Sequence, residues 1–151
     1  MPTHSEIRNM PYSAQQMFDL IADVRSYPDF LPWCAAARMR GQRHQGDSTI
    51  LDADLVIAFK VFRERFGSRV TLHPMDQTID VEYLDGPFRY LNNHWKFSDI
   101  DGGCEVDFHV DFEFKSKILQ GLIGVVFNEA MQRIVSAFET RAAELYGEGK
   151  S

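Results

Sequence analysis

Cationic excess, a disulfide framework and a long apolar run are all missing from these 151 residues. Lys and Arg number 16 against 22 Asp and Glu, a net charge of −6. Direct nucleic-acid binding rests on cations neutralising phosphates, and strong attraction to anionic lipid rests on the same excess, so the overall charge argues against both. The two cysteines, Cys34 and Cys104, are far apart and form no C-x-x-C pair, which excludes a disulfide scaffold and points to a reducing, cytoplasmic setting. The longest apolar run, near Ile118–Phe127, is far shorter than the ~20 residues of a spanning helix. The opening MPTHSEIRNMPYS has no apolar leader core, so any membrane association is expected to be peripheral, at the inner face. The five His show no H-x-x-x-H or H-x-H spacing, and no Asp or Cys set joins them, so neither a metal nor another cofactor is expected. No Gly-rich phosphate loop and no nucleophile signature is present.

What is abundant is aromatic surface: the chain holds 12 Phe. Its length fits one domain spanning residues 1–151, with no linker or internal repeat. Thr3–Asn9 reads as a short strand. Ser13–Val24 reads as a helix with a capping box at Ser13 and Gln16 and an apolar face of Met17, Leu20, Ile21 and Val24. The period then falls to two over six further strands. CEVDFHVDFEF is the clearest: Cys104, Val106, Phe108, Val110, Phe112 and Phe114 share one face, and Glu105, Asp107, His109, Asp111 and Glu113 the other. The acids of that polar face, with Asp80 and Glu82, are expected to lie in solvent opposite Arg63, Arg65 and Arg69. Ser116 can cap a last helix reaching Tyr146, about 30 residues and roughly 45 Å long. The fold class is α+β: a curved antiparallel sheet of about seven strands around a long C-terminal helix, with short helical pieces after the first strand.

A curved sheet does not seat flush on a helix, so the space between is either filled by large side chains or left as a cavity. Phe59, Phe66, Trp95, Phe97, Phe108 and Phe112 face inward on parity, and both outcomes remain open. YPDFLPWC supplies Tyr27, Phe30, Leu31 and Trp33 on a segment whose Pro28 and Pro32 allow a short helical turn and an extended exit. It closes one end of the sheet, as a plug or as the mouth of a pocket. ILQGLIGVVF, the start of the last helix, is apolar nearly all round. Leu122, Val126 and the following Ala130 there form either a greasy rim for an apolar ligand or membrane, or an end covered by YPDFLPWC. Asn93 shares the Trp95 parity, as a polar ligand contact or a satisfied buried amide. Glu64 shares the Phe62 and Phe66 parity, pointing inward or sitting at a frayed strand end.

PYSAQQMFDLIADVRSYPDFLPWC, DGPFRYLNNHWKF, CEVDFHVDFEFKSKIL and RIVSAFETRAAELYG resemble the coenzyme Q-binding branch of START-like, polyketide cyclase-like proteins, a branch that also holds the bacterial ribosome-association toxin. The resemblance covers essentially the whole chain. It implies a helix-grip fold enclosing an apolar cavity, binding of ubiquinone or a similar isoprenoid lipid, and functional roles for Leu31 and Trp33. One departure is Gly67 in RERFGSRV, where a polar residue is expected. The leading expectation is a non-catalytic ubiquinone carrier serving respiratory or biosynthetic enzymes at the membrane. Alternatives are a ribosome-binding protein, with a local basic patch at Arg38, Arg40 and Arg43, and a cyclase or dehydratase.

Overall fold

The computed structural model describes residues 3–59 and 62–147. Seven strands form one antiparallel sheet: β1 (Thr3–Met10), β2 (Cys34–Gln45), β3 (Ser48–Phe59), β4 (Phe62–His73), β5 (Thr78–Asp85), β6 (Phe88–Ile100) and β7 (Gly103–Phe114). The spatial order is β1-β7-β6-β5-β4-β3-β2, so only the β7–β1 pairing joins strands distant in sequence. Helix α1 (Ala14–Ala22) and a 3-10 segment (Val24–Asp29) lie between β1 and β2, and helix α2 (Lys117–Tyr146) ends the chain. This is the expected helix-grip arrangement.

Local chemistry sets the element ends. The Ser13 hydroxyl accepts the Gln16 N–H, and the Gln16 side chain accepts the Ser13 N–H, which closes the capping box of α1. The helix stops before Val24, earlier than the apolar spacing suggests. Asp23 leaves helical geometry, and its carboxylate accepts the Ser26 hydroxyl at 2.6 Å. That local bond offers the chain an alternative to another helical turn, and Val24 is buried on the 3-10 segment instead. In α2 the Ser116 hydroxyl accepts the Leu119 N–H, and Gly147 terminates the helix at φ +84°.

Alternation divides the sheet as expected. Cys104, Val106, Phe108, Val110, Phe112 and Phe114 are all buried, whereas Glu105, Asp107, His109, Asp111 and Glu113 are not. Helix α2 packs on β1, β7 and α1, with Val135 and Phe138 fully buried. On the outer face Arg69 stands opposite Glu82 as expected, while the closest ion pairs of Arg69 and Arg65 go to other acids. Arg69 pairs with Asp52 at 2.9 Å, and Arg65 reaches Asp54 at 2.8 Å and Asp85 at 3.4 Å. The register explains both, because Arg69 stands opposite Asp52, and Gly67 stands opposite Asp54 and Asp85. A Cβ at Gly67 would lie 2.5 Å from an Asp85 carboxylate oxygen. The glycine therefore makes room for this ion cluster, which is why no polar side chain stands there.

A second close approach fixes β1 against β7. A Cβ at Gly103 would lie 1.9 Å from the Met10 carbonyl oxygen, whereas one at Gly41 would meet nothing within 4 Å. Gly103→Ala is expected to destabilise by more than about 2 kcal/mol through a backbone clash, and Gly41→Ala to be neutral or stabilising by about 0.5 kcal/mol. Urea unfolding of both variants checks the contrast.

Candidate functional site

Between α2 and the curled half of the sheet lies an apolar cavity of about 230 Å³. Leu119, Ile123, Met131, Ile134 and Phe138 of α2 form one wall. Strands β3 and β4 add Leu55, Ile57, Phe59, Phe62, Phe66 and Val70, and Trp95, Phe108 and Phe112 come from β6 and β7. Strand pairing brings the remaining parts to one end of the sheet. Cys34 stands opposite Ile57, Phe59 opposite Phe62, and Phe88 opposite Phe114. The turn before β2, the β3–β4 tip, the turn between β5 and β6 and the start of α2 therefore gather at the same end.

The structure separates the residues expected to face a ligand into two groups. Tyr27, Leu31, Trp33, Phe59, Phe66, Asn93, Trp95, Phe108 and Phe112 all reach the wall. Phe30 sits one layer behind it: its ring is 5.4 Å from Phe138 and 6.2 Å from Tyr27, with the Arg141 guanidinium 5.3 Å over it. Leu122 and Val126 turn outward, 39% and 37% exposed, and Ala130 is buried outside the lining. Helical period explains the difference, because a face set by Leu119 and Ile123 continues through Phe127, Met131 and Ile134. A run apolar on all sides hides which face is inner. Leu55, Ile57 and Phe62 also line the wall, on the same two-residue period as Phe59 and Phe66.

The Leu31–Cys34 turn has an unusual backbone. Pro32 takes its second position, Trp33 its third at φ +66°, and the Cys34 N–H donates to the Leu31 carbonyl at 3.4 Å. That is the pattern of a type II turn, whose third position favours glycine. A large aromatic residue there is strained, and such strain clusters at ligand clamps and active sites. The turn is held by the Ala58 N–H donating to the Trp33 carbonyl at 2.9 Å and by the Trp33 ring edge-on to Phe59 at 6.1 Å.

Few polar groups reach the wall, and most are already engaged. Asn93 Nδ2 donates to the His109 carbonyl at 2.9 Å, and Trp95 Nε1 donates to Asn93 Oδ1 at 3.1 Å. The amide is thus a structural bridge that keeps one N–H and one lone pair in reserve. Ser68 donates to the Ala53 carbonyl, and the Tyr27 hydroxyl to the Ile21 carbonyl. Burial pushes the Tyr27 phenol well above its ordinary value. Burial also pushes the Cys34 thiol up to about 11, which leaves it a poor nucleophile at neutral pH. Glu64 lines the exposed end, on the inward parity and beside the strand start. Among the described residues no group of His, Cys, Asp and Glu is arranged to hold a metal, and no helix is long and apolar enough to cross a membrane. The arrangement can hold an apolar body and offer it one or two hydrogen bonds.

Residues 10–139 match the family described as polyketide cyclase/dehydrase and lipid transport. The chain is 39% identical to a ribosome association toxin RatA of Rickettsia prowazekii, over 94% of this chain and 95% of that protein. It is 34% identical to a mitochondrial coenzyme Q-binding protein COQ10 homolog B of Xenopus laevis, over 95% of this chain and 59% of that one. An 18 kDa protein from Caulobacter crescentus, solved in solution, is 35% identical with a TM-score of 0.81, covering 97% of this chain and 99% of that one.

Trp33→Gly is expected to be more stable than Trp33→Ala by about 1 kcal/mol, because both lose the indole but only alanine keeps a Cβ in left-handed geometry. Denaturant midpoints of the two variants test this, and the reverse order would remove the strain argument. The thiols set a pH limit. Cys34 and Cys104 are each raised from an ordinary 9.0 to about 11, so the folded protein keeps protons that the unfolded chain releases. Their contribution is complete below the unfolded value and is lost as pH climbs through the folded value. Stability is expected to fall from about pH 9 upward, less steeply in a Cys34→Ala, Cys104→Ala variant, as read by urea midpoints across that range.

Proposed function

Because the chain belongs to the polyketide cyclase/dehydrase and lipid-transport family, we propose that it is a non-catalytic carrier of a quinone-class isoprenoid lipid, ubiquinone or a close relative. The observation that carries this reading is the cavity itself: aromatic and aliphatic walls with Asn93 as the inner hydrogen-bonding group and Leu31–Cys34 at the mouth. Its 230 Å³ exceeds the ~150 Å³ in which a benzene ring binds, and it lies below the ~300 Å³ typical of pockets for larger ligands. It suits a substituted ring and the first part of a tail, with the remaining tail leaving past Trp33 and Phe62. Residues 1–151 act as one lipid-binding domain. The protein works in the cytoplasm, collects its lipid at the inner membrane face, and hands it to respiratory or quinone-forming enzymes.

A second reading, association with the ribosome, is favoured by the name of the Rickettsia relative. Arg40 and Arg43 of the expected basic patch pair with Asp54 and Asp52 at 3.5 Å. That pairing weakens their attraction for rRNA phosphates, so this reading rests on protein contacts. The cyclase or dehydratase reading requires facing titratable groups, and the wall supplies Glu64, a Tyr27 phenol bonded to the Ile21 carbonyl and a thiol of raised pKa.

The test is titration with a short-tailed ubiquinone, read by quenching of tryptophan fluorescence. Saturable quenching is expected in the wild type, with affinity at least about tenfold weaker in Val81→Phe, where a ring replaces a wall side chain. Absence of saturable quenching, together with salt-sensitive cosedimentation with ribosomal subunits, would move the assignment to the second reading.

A further inference from the structure

Helix α2 shows apolar side chains on the face opposite the cavity. Ile118, Leu122 and Val125 follow i, i+4, i+7 spacing, which places them in one stripe. Ile118 is 72% and Val125 85% exposed, and the neighbouring Gly121 and Gly124 would meet nothing within 4 Å if they carried a Cβ. Among the described residues nothing covers Ile118 and Val125.

Charge identifies what covers it. The protein carries a net −6, yet the charges at the start of α2 are Lys115 and Lys117, both exposed, and the next acid along the stripe, Glu129, is paired with Arg133 at 3.4 Å. Two cations at the start of an exposed apolar stripe match a surface with anionic headgroups above hydrocarbon. Position adds a second argument. The inner side of the same turns, Leu119 and Ile123, lines the cavity, and the start of α2 lies at the end of the sheet where the part-exposed Leu31–Cys34 turn and Phe62 also line it. We infer that the first three turns of α2 dock on an anionic lipid bilayer, with Ile118, Leu122 and Val125 entering the acyl boundary and Lys115 and Lys117 meeting phosphates. This inference rests on the carrier reading for its purpose, since docking sets the mouth against the lipid phase.

Flotation with phosphatidylcholine vesicles, with and without phosphatidylglycerol, tests it on the full chain. The wild type is expected to float with the mixed vesicles. Ile118→Ser, Val125→Ser should lower partitioning at least about tenfold, since two exposed side chains no longer gain by leaving water. Lys115→Gln, Lys117→Gln should lower it about tenfold or more on mixed vesicles and little on phosphatidylcholine alone. Both pairs are exposed, so circular dichroism should show an unchanged fold. Wild-type protein that stays in solution with every vesicle, or flotation untouched by the serine pair, overturns the docking site; in either case a protein partner becomes the occupant to seek. The carrier reading is scored separately by quinone quenching without vesicles: serine-pair protein that binds quinone but does not float leaves that reading intact, and protein that floats but never binds quinone removes the carrier reading alone.

Discussion

A single helix can touch a strongly curved sheet only along part of its width, and most of this molecule follows from that mismatch. Helix α2 seats where β1, β7 and α1 meet it, anchored by Phe112 against Phe127 at 5.1 Å and Trp95 against Phe138 at 5.4 Å. Strands β2 to β4 curl away from it, and the space left is closed by aromatic edges and by the segment after α1. Tyr27 and Phe30 wedge against Phe138, each 5.4 Å away, so the plug is tied to the helix as well as to the sheet.

The interior is organised by ring geometry more than by hydrogen bonds. Phe88 meets Phe66 and Phe112 edge-on at 5.3 Å and stacks on Phe114 at 4.6 Å, forming a continuous aromatic lining at the mouth end. Edge and face contacts of this kind favour planar, polarisable guests. The polar groups that do reach the wall are mostly committed to neighbours, so the cavity surface is defined by shape more than by free hydrogen-bonding groups.

The strands were legible because two-residue alternation carries both the period and the face, which is why Phe59, Phe66, Trp95, Phe108 and Phe112 reach the wall as expected. The start of α2 was not, because alternation of polarity is what reports a helix face and ILQGLIGVVF has almost none. Leu122 and Val126, expected at a greasy rim or under YPDFLPWC, lie outside the cavity lining and are exposed. The break at Asp23 was hidden for another reason: the apolar spacing runs through it, while a side-chain hydrogen bond from Ser26 decides it. Gly67 was readable only once its opposite strands were known, since its role is to leave room for Arg65 and two aspartates.

Unfilled volume has a cost that extends beyond recognition. Wall atoms that face an apolar cavity lack the contacts of a close-packed core, and only ~5–15 kcal/mol holds a domain folded. A guest that binds the folded chain alone adds stability by mass action, and differences of about one or two kcal/mol change cellular abundance several-fold. The supply of a guest would in this way set how long each copy of the chain survives.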